Sequence, residues 1–157
     1  MADFKTADAA SYASLAEAFA RFSLITTQPL AQTVVDEAAI RPGERVLDIG
    51  TGSGIVAIEA AKRMNANGRI VGVDLSRQML TQAALHARDT PGRDRIALTE
   101  TDAEHLPFAN ATFDCVVSLF ALLHFPNPSQ ALSEMRRVLR PNGRLVLGIG
   151  SRPPLTS

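Results

Sequence analysis

Three carboxylates, each at or near the end of an apolar run, carry the chemical interest of this chain. They are Asp48 in Val46-Leu47-Asp48-Ile49-Gly50-Thr51-Gly52-Ser53-Gly54, Asp74 in Gly72-Val73-Asp74-Leu75-Ser76, and Asp102 in Thr99-Glu100-Thr101-Asp102-Ala103. Glycines at 50, 52 and 54 let the backbone turn sharply and approach a ligand more closely than a Cβ permits, and the helical pattern that follows aims N–H groups at the same space. The combination is a cradle for a small molecule. Dinucleotide-binding folds use a similar turn with an acid about 20 residues later on the ribose. Asp48, two residues before the first glycine, argues against that reading, because a carboxylate there would repel pyrophosphate. A ligand bearing positive charge removes the objection. The three acids then suit a cationic group, a diol and an amino group, and Ala103 adds a backbone N–H beside Asp102.

Other reactive residues are few. His124, in Phe120-Ala121-Leu122-Leu123-His124-Phe125, is the best-placed candidate for a general base, against the simpler reading that it shapes a pocket. His105 is expected on a surface turn and His86 on the solvent side of a helix. The three histidines lack metal-ligand spacing and the lone Cys115 can form neither an internal disulfide nor a thiolate cluster, so no metal is expected. Cys115 lies in an apolar run and reads as an inert core thiol.

The elements that must position these groups follow from periodicity. Helical spacing covers 7–22 and 28–40; strands are expected at 45–49, 69–73, 95–99, 113–118 and 144–149, with helices at 54–65, 76–89 and 128–139. Ser76 is a natural N-cap, and Asn67-Gly68 and Pro141-Asn142-Gly143 mark stops. Strands alternating with helices predict an α/β fold, a Rossmann-like doubly wound, mostly parallel sheet of about five strands behind two N-terminal helices. All three acids then fall along the ligand-binding edge of the sheet. The chain has 157 residues with 46% hydrophobic content, which suits one domain over 1–157, divided into a helical lid (1–40), a core (41–149) and a tail (150–157). Sixteen basic residues balance sixteen acidic ones, which disfavours nucleic acid as a partner. The absence of a signal-like or membrane-spanning run points to the cytoplasm.

Residues 41–149 resemble a class I S-adenosylmethionine-dependent methyltransferase, of the group that includes the ubiquinone and menaquinone methyltransferases. The resemblance rests on Val46–Gly54, Gly72–Ser76 with Met79-Leu80, Asp102-Ala103-Glu104-His105-Leu106-Pro107-Phe108, Phe113–Ser118 and Leu139-Arg140-Pro141-Asn142-Gly143-Arg144. It implies that Gly50 and Gly52 border the methionine part of the cofactor, that Asp48 helps hold its ammonium, and that Asp74 takes both ribose hydroxyls. By the same resemblance Leu75 and Met79 pack near the adenine, Asp102 and Ala103 read its edge, and Ser118 lines the site near the sulfonium. Tyr12 on the first helix is the candidate aromatic of a lid. The implied reaction is in-line methyl transfer to a small-molecule acceptor, leaving S-adenosylhomocysteine, in a site that needs alignment and dryness more than a dedicated catalytic group.

One departure from the family stands out. A full fold of this kind resembles a seven-stranded sheet, whereas five strands are legible here and the fifth, Arg144–Ile149, is apolar throughout. It would be an exposed edge, so the sequence predicts either a homodimer through that edge or an incomplete protein. A non-catalytic S-adenosylmethionine-binding or assembly module is the alternative function, and a nicotinamide-dependent oxidoreductase a third that Asp48 disfavours.

Overall fold

A computed structural model describes residues 16–18, 20–22 and 25–150. Five strands, β1 (Arg45–Ile49), β2 (Arg69–Asp74), β3 (Ile96–Glu100), β4 (Phe113–Leu119) and β5 (Leu139–Gly148), form one sheet in the order β3-β2-β1-β4-β5. Every neighbouring pair is parallel. The sheet grows outward from β1 in one direction through β2 and β3, then in the other through β4 and β5. This reversal is the switch point at which α/β sheets open a crevice beyond their carboxyl ends.

The helices are α1 (Gln28–Ala38), α2 (Ile55–Ala61), α3 (Arg77–Ala87) and α4 (Pro128–Val138). Ser76 Oγ accepts the Met79 N–H at 3.3 Å to cap α3, and Asn127 Oδ1 accepts the Gln130 N–H at 3.1 Å to cap α4, where Pro128 opens the first turn. α2 stops short of the expected 65 because its last turn tightens: Arg63 and Met64 bond back three residues, to Ala60 and Ala61. The helix expected at 7–22 falls mostly outside the described residues, although 16–18 and 20–22 are helical.

Both faces of the sheet are covered, so β1 is buried from Val46 to Ile49 without alternation. On one face Val46, Ile70, Cys115 and Val117 pack under α1 and α2. On the other, Leu47, Ile49, Val73 and Val116 meet Ala131, Met135 and Val138 of α4 together with Ala103 and Leu106 from the β3–β4 connection. Phe108 fastens that connection by meeting Phe113 of β4 edge-on, with ring centroids 5.1 Å apart, a geometry that adds about 0.5–1.5 kcal/mol beyond area burial. Cys115 is fully buried, and its thiol is pushed up to about 11 by desolvation.

β5 is longer than expected, and Pro141-Asn142-Gly143 is a bulge within it. Phe113 pairs with Leu139 and Cys115 with Arg144, so four residues of β5 stand opposite Asp114 alone, with Asn142 at φ 63°. Arg144, just after the bulge, grips Glu44 at 2.9 and 2.6 Å and donates from Nε to the Ala38 carbonyl at 2.7 Å, where α1 ends. Burial alone would raise the Glu44 pKa, but the bonds from Arg144 and the Arg41 N–H, with the guanidinium charge, outweigh it and hold the group below the ordinary carboxylate range. The outer side of β5 pairs with no strand among the described residues; Leu145 within it and Ile149 just after it are exposed.

Candidate functional site

Beyond the carboxyl ends of β1 to β4 lies a cavity of about 180 Å³. One wall is the turn Gly50-Thr51-Gly52-Ser53 that joins β1 to α2. The end of β2 supplies Val73, Asp74 and Leu75, with Met79 from the first turn of α3; the end of β3 supplies Thr101, Asp102 and Ala103. The opposite wall comes from the segment after β4, with Phe120, Ala121, His124, Phe125 and Pro126.

The glycine turn is held from several sides. Gly50 adopts φ 68°, and a Cβ there would fall well inside contact distance of Ala121 Cβ, so this glycine lets the β4 segment close on the turn. The Thr51 N–H donates to the Val73 carbonyl at 2.9 Å. The Gly52 N–H donates to Asp74 Oδ2 at 2.9 Å, and Asp74 Oδ1 accepts the Ser76 N–H at 2.9 Å. Asp74 therefore ties the turn to the head of α3 while facing the cavity. His86, expected toward solvent, is half-buried instead, with Nδ1 3.0 Å from the Ser53 carbonyl oxygen; as the Nδ1–H tautomer it steadies the same turn.

Asp48 stands behind the turn, outside the cavity walls. Strand alternation sets it on the Val46 face of β1, beneath α2, where it is 1% exposed and accepts the Thr51 hydroxyl at 2.6 Å. Desolvation raises its pKa to about 7 against the bonds from Thr51 and the Ala57 N–H, and the nearby charge of Asp74 pushes in the same direction as desolvation. Ser118 also misses the cavity: its hydroxyl is buried and donates to the Ile49 carbonyl at 2.8 Å, stitching β4 to β1. Tyr12 lies outside the described residues.

At the β3 end, Asp102 Oδ1 accepts the Glu104 N–H at 2.9 Å, which turns the chain so that Ala103 lies against the cavity. His105 is on the surface as expected, with Nδ1 3.4 Å from Asp102 Oδ2. His124 closes a single 3₁₀ turn, Leu122–His124, on the cavity rim. Sequence reasoning missed most of the β4 wall and Thr27, Ile55, Val56 and Thr101, which also line the cavity. The available signal was the switch point itself, since residues just past β4 must face those just past β1.

Comparison with known proteins agrees with this geometry. A family model described as a methyltransferase domain matches residues 47–147. The ubiquinone/menaquinone biosynthesis C-methyltransferase UbiE of Cellvibrio japonicus is 34% identical over 119 residues, which cover 76% of this chain and 48% of that protein. A candidate methyltransferase of Bacillus halodurans superposes with a TM-score of 0.71 at 33% identity, over 79% of this chain and 52% of the other. The [4+2]-cyclase SpnF gives the same TM-score, 0.71, at 30% identity, over 76% of this chain and 43% of the other. The chain spans less than half the length of the curated relatives it matches, from 32% to 48% in the first two.

Proposed function

Because the chain belongs to the class I S-adenosylmethionine-dependent methyltransferases, we propose that its cavity binds S-adenosylmethionine and that the protein transfers the methyl group to a small-molecule acceptor. One observation carries this reading: a single cavity gathers the Gly50–Ser53 turn, Asp74, Leu75, Met79, Asp102 and Ala103 on one side and His124 on the other. The donor set fits the cofactor, with two carboxylates for a diol and an amino group, and apolar Met79 and Leu75 between them for a flat ring. When bound, the cofactor supplies an electrophilic methyl on a sulfonium.

In this reading Asp74 takes the ribose hydroxyls, Asp102 and the Ala103 N–H hold the adenine edge, and Gly50 and Gly52 let the backbone lie against the methionine part. Asp48 acts through Thr51 and through its charge behind the turn, while Ser118 fixes the spacing of β1 and β4. Phe120, Phe125 and Pro126 exclude water from the line between nucleophile and methyl group, where alignment alone is worth about 7–11 kcal/mol in favourable cases. His124, on the cavity rim, takes a proton from an oxygen or nitrogen acceptor in this reading. The likeness to a C-methyltransferase supports a carbon or oxygen acceptor ahead of nitrogen. The balanced charge supports neither nucleic acid nor an anionic surface as partner, and the protein is assigned to the cytoplasm on its lone, buried cysteine. Among the described residues no helix is long and apolar enough to cross a membrane. The β5 edge, which pairs with no strand among the described residues, supports self-pairing into a homodimer, which light scattering of a monomer at high concentration overturns.

Calorimetric titration with S-adenosylmethionine and with NAD is the primary test, followed by methyl transfer to a panel of phenols, quinols and amines. Asp74→Ala should weaken S-adenosylmethionine binding at least about tenfold, since hydrogen bonds to a charged group contribute about 1.5–3 kcal/mol each. Unchanged affinity in a folded variant refutes the ribose role, and binding of NAD alone refutes the methyltransferase reading.

A further inference from the structure

The two walls of the cavity come from distant parts of the chain, and one buried side chain joins them. Glu104 follows directly on Asp102 and Ala103 and is 4% exposed. Its N–H fixes the Asp102 carboxylate at 2.9 Å, while its own Oε1 accepts the backbone N–H of Asn127 at 2.9 Å. Its carbonyl oxygen accepts Gln130 Nε2 at 3.2 Å, and Gln130 in turn caps against Asn127. Asn127 directly follows the wall residues Phe125 and Pro126.

The segment between β4 and α4 is anchored at both ends, and Phe125 packs against the core that includes α4. At its start the Phe120 N–H donates to the Gly148 carbonyl at 2.7 Å; at its end the Asn127 N–H rests on Glu104. Between these anchors lie one 3₁₀ turn and the exposed Leu123 and His124. The anchor at Glu104 is strong for its size, because a buried carboxylate that loses the Asn127 N–H has little access to water in its place. On the cofactor side the loop is equally tied down: Glu134 Oε2 accepts the Leu106 N–H at 2.8 Å, and Arg137 donates to the carbonyls of Leu106 and Phe108 at 3.0 and 2.7 Å. Order imposed at Asp102 therefore reaches residue 127 through two hydrogen bonds and the side chain of a single residue, Glu104.

We propose that Glu104 is a positioning residue that couples the two walls, so that filling the Asp102–Ala103 end of the cavity steadies residues 121–127 at the acceptor end. This rests on the cofactor reading above. It gives the site an order of assembly in which the acceptor wall is finished only after the cofactor is seated.

Hydrogen–deuterium exchange on the full chain, with and without saturating S-adenosylhomocysteine, tests it. In the parent protein the ligand should slow exchange about tenfold or more both in peptides covering 101–104 and in those covering 121–127. In Glu104→Ala protection at 101–104 should persist while that at 121–127 falls to within about twofold of the free protein. Glu104→Gln keeps an acceptor oxygen and should restore the coupling, which a general loss of packing would not explain. If the alanine variant fails to fold, Glu104→Asp, whose shorter reach also breaks the contact, takes its place with the same expectation. Ligand-dependent protection of 121–127 that survives in a variant still protected at 101–104 overturns the coupling and leaves cofactor binding intact. No protection anywhere in the parent protein overturns the cofactor reading and the coupling with it.

Discussion

Replacing Asp48 by asparagine gives the sharpest test of how the glycine turn is built. The carboxyl is fully enclosed and titrates at about 7 rather than its ordinary 3.8, chiefly because desolvation disfavours the anion. In the unfolded chain it ionises near its ordinary value, so between pH 4 and 7 the folded state holds a proton that the unfolded state has lost. Stability must therefore fall as pH rises through this window, by up to about 1.4 kcal/mol per pH unit, and level off above 7. The full difference is worth about 4 kcal/mol as an upper value. Asparagine cannot ionise, yet it retains an oxygen for the Thr51 hydroxyl. The variant should match the parent near pH 4, lose this slope, and become the more stable protein by several kcal/mol at about pH 8. The chain has no tryptophan and one tyrosine, so urea unfolding followed by far-ultraviolet circular dichroism is the suitable assay. Parallel stability curves for parent and variant across pH 4–8 would refute the reasoning. A cation in the cavity offsets the cost of the anion, so S-adenosylmethionine should raise the melting temperature of the parent more than that of the variant above pH 7.

Two further outcomes follow from the same geometry. Gly50→Ala places a methyl group against Ala121 at a positive φ, and should cost about 1–3 kcal/mol while weakening S-adenosylmethionine binding; wild-type melting and affinity would show that the β4 segment does not close on the turn. Glu44 sits below its ordinary pKa, so its contribution is present above about pH 4.5 and is lost as pH falls through the folded value; Glu44→Gln should flatten the acid limb of the stability curve, and an unchanged acid limb would remove the role given to Arg144.

The architecture was legible because each strand is a short apolar run bounded by turn residues, and because parallel strands joined by helices admit few arrangements. Asp74, Asp102 and Ala103 were found at the cavity for the same reason: Asp74 ends β2, and Asp102 and Ala103 lie just beyond β3. Asp48 and Ser118 are each the last but one residue of a strand buried on both faces, where no alternation of apolar and polar residues tells which way a side chain points. The bulge in β5 read as a turn preceding a strand because Pro141-Asn142-Gly143 has turn chemistry, and pairing across the gap depends on β4 rather than on local sequence. Glu104 was visible only as part of a motif. Its importance comes from Asn127, which is 23 residues away.

The grip of Arg144 on Glu44 joins residues 100 positions apart. At about 5–20 residues per second, a ribosome adds Arg144 about 5–20 s after Glu44. Until then the carbonyl of Ala38 and the Glu44 carboxylate await their guanidinium, and the end of α1 is not fastened to β5. This part of the fold is therefore unfinished until Arg144 has been added, and it spends those seconds within reach of chaperones and proteases.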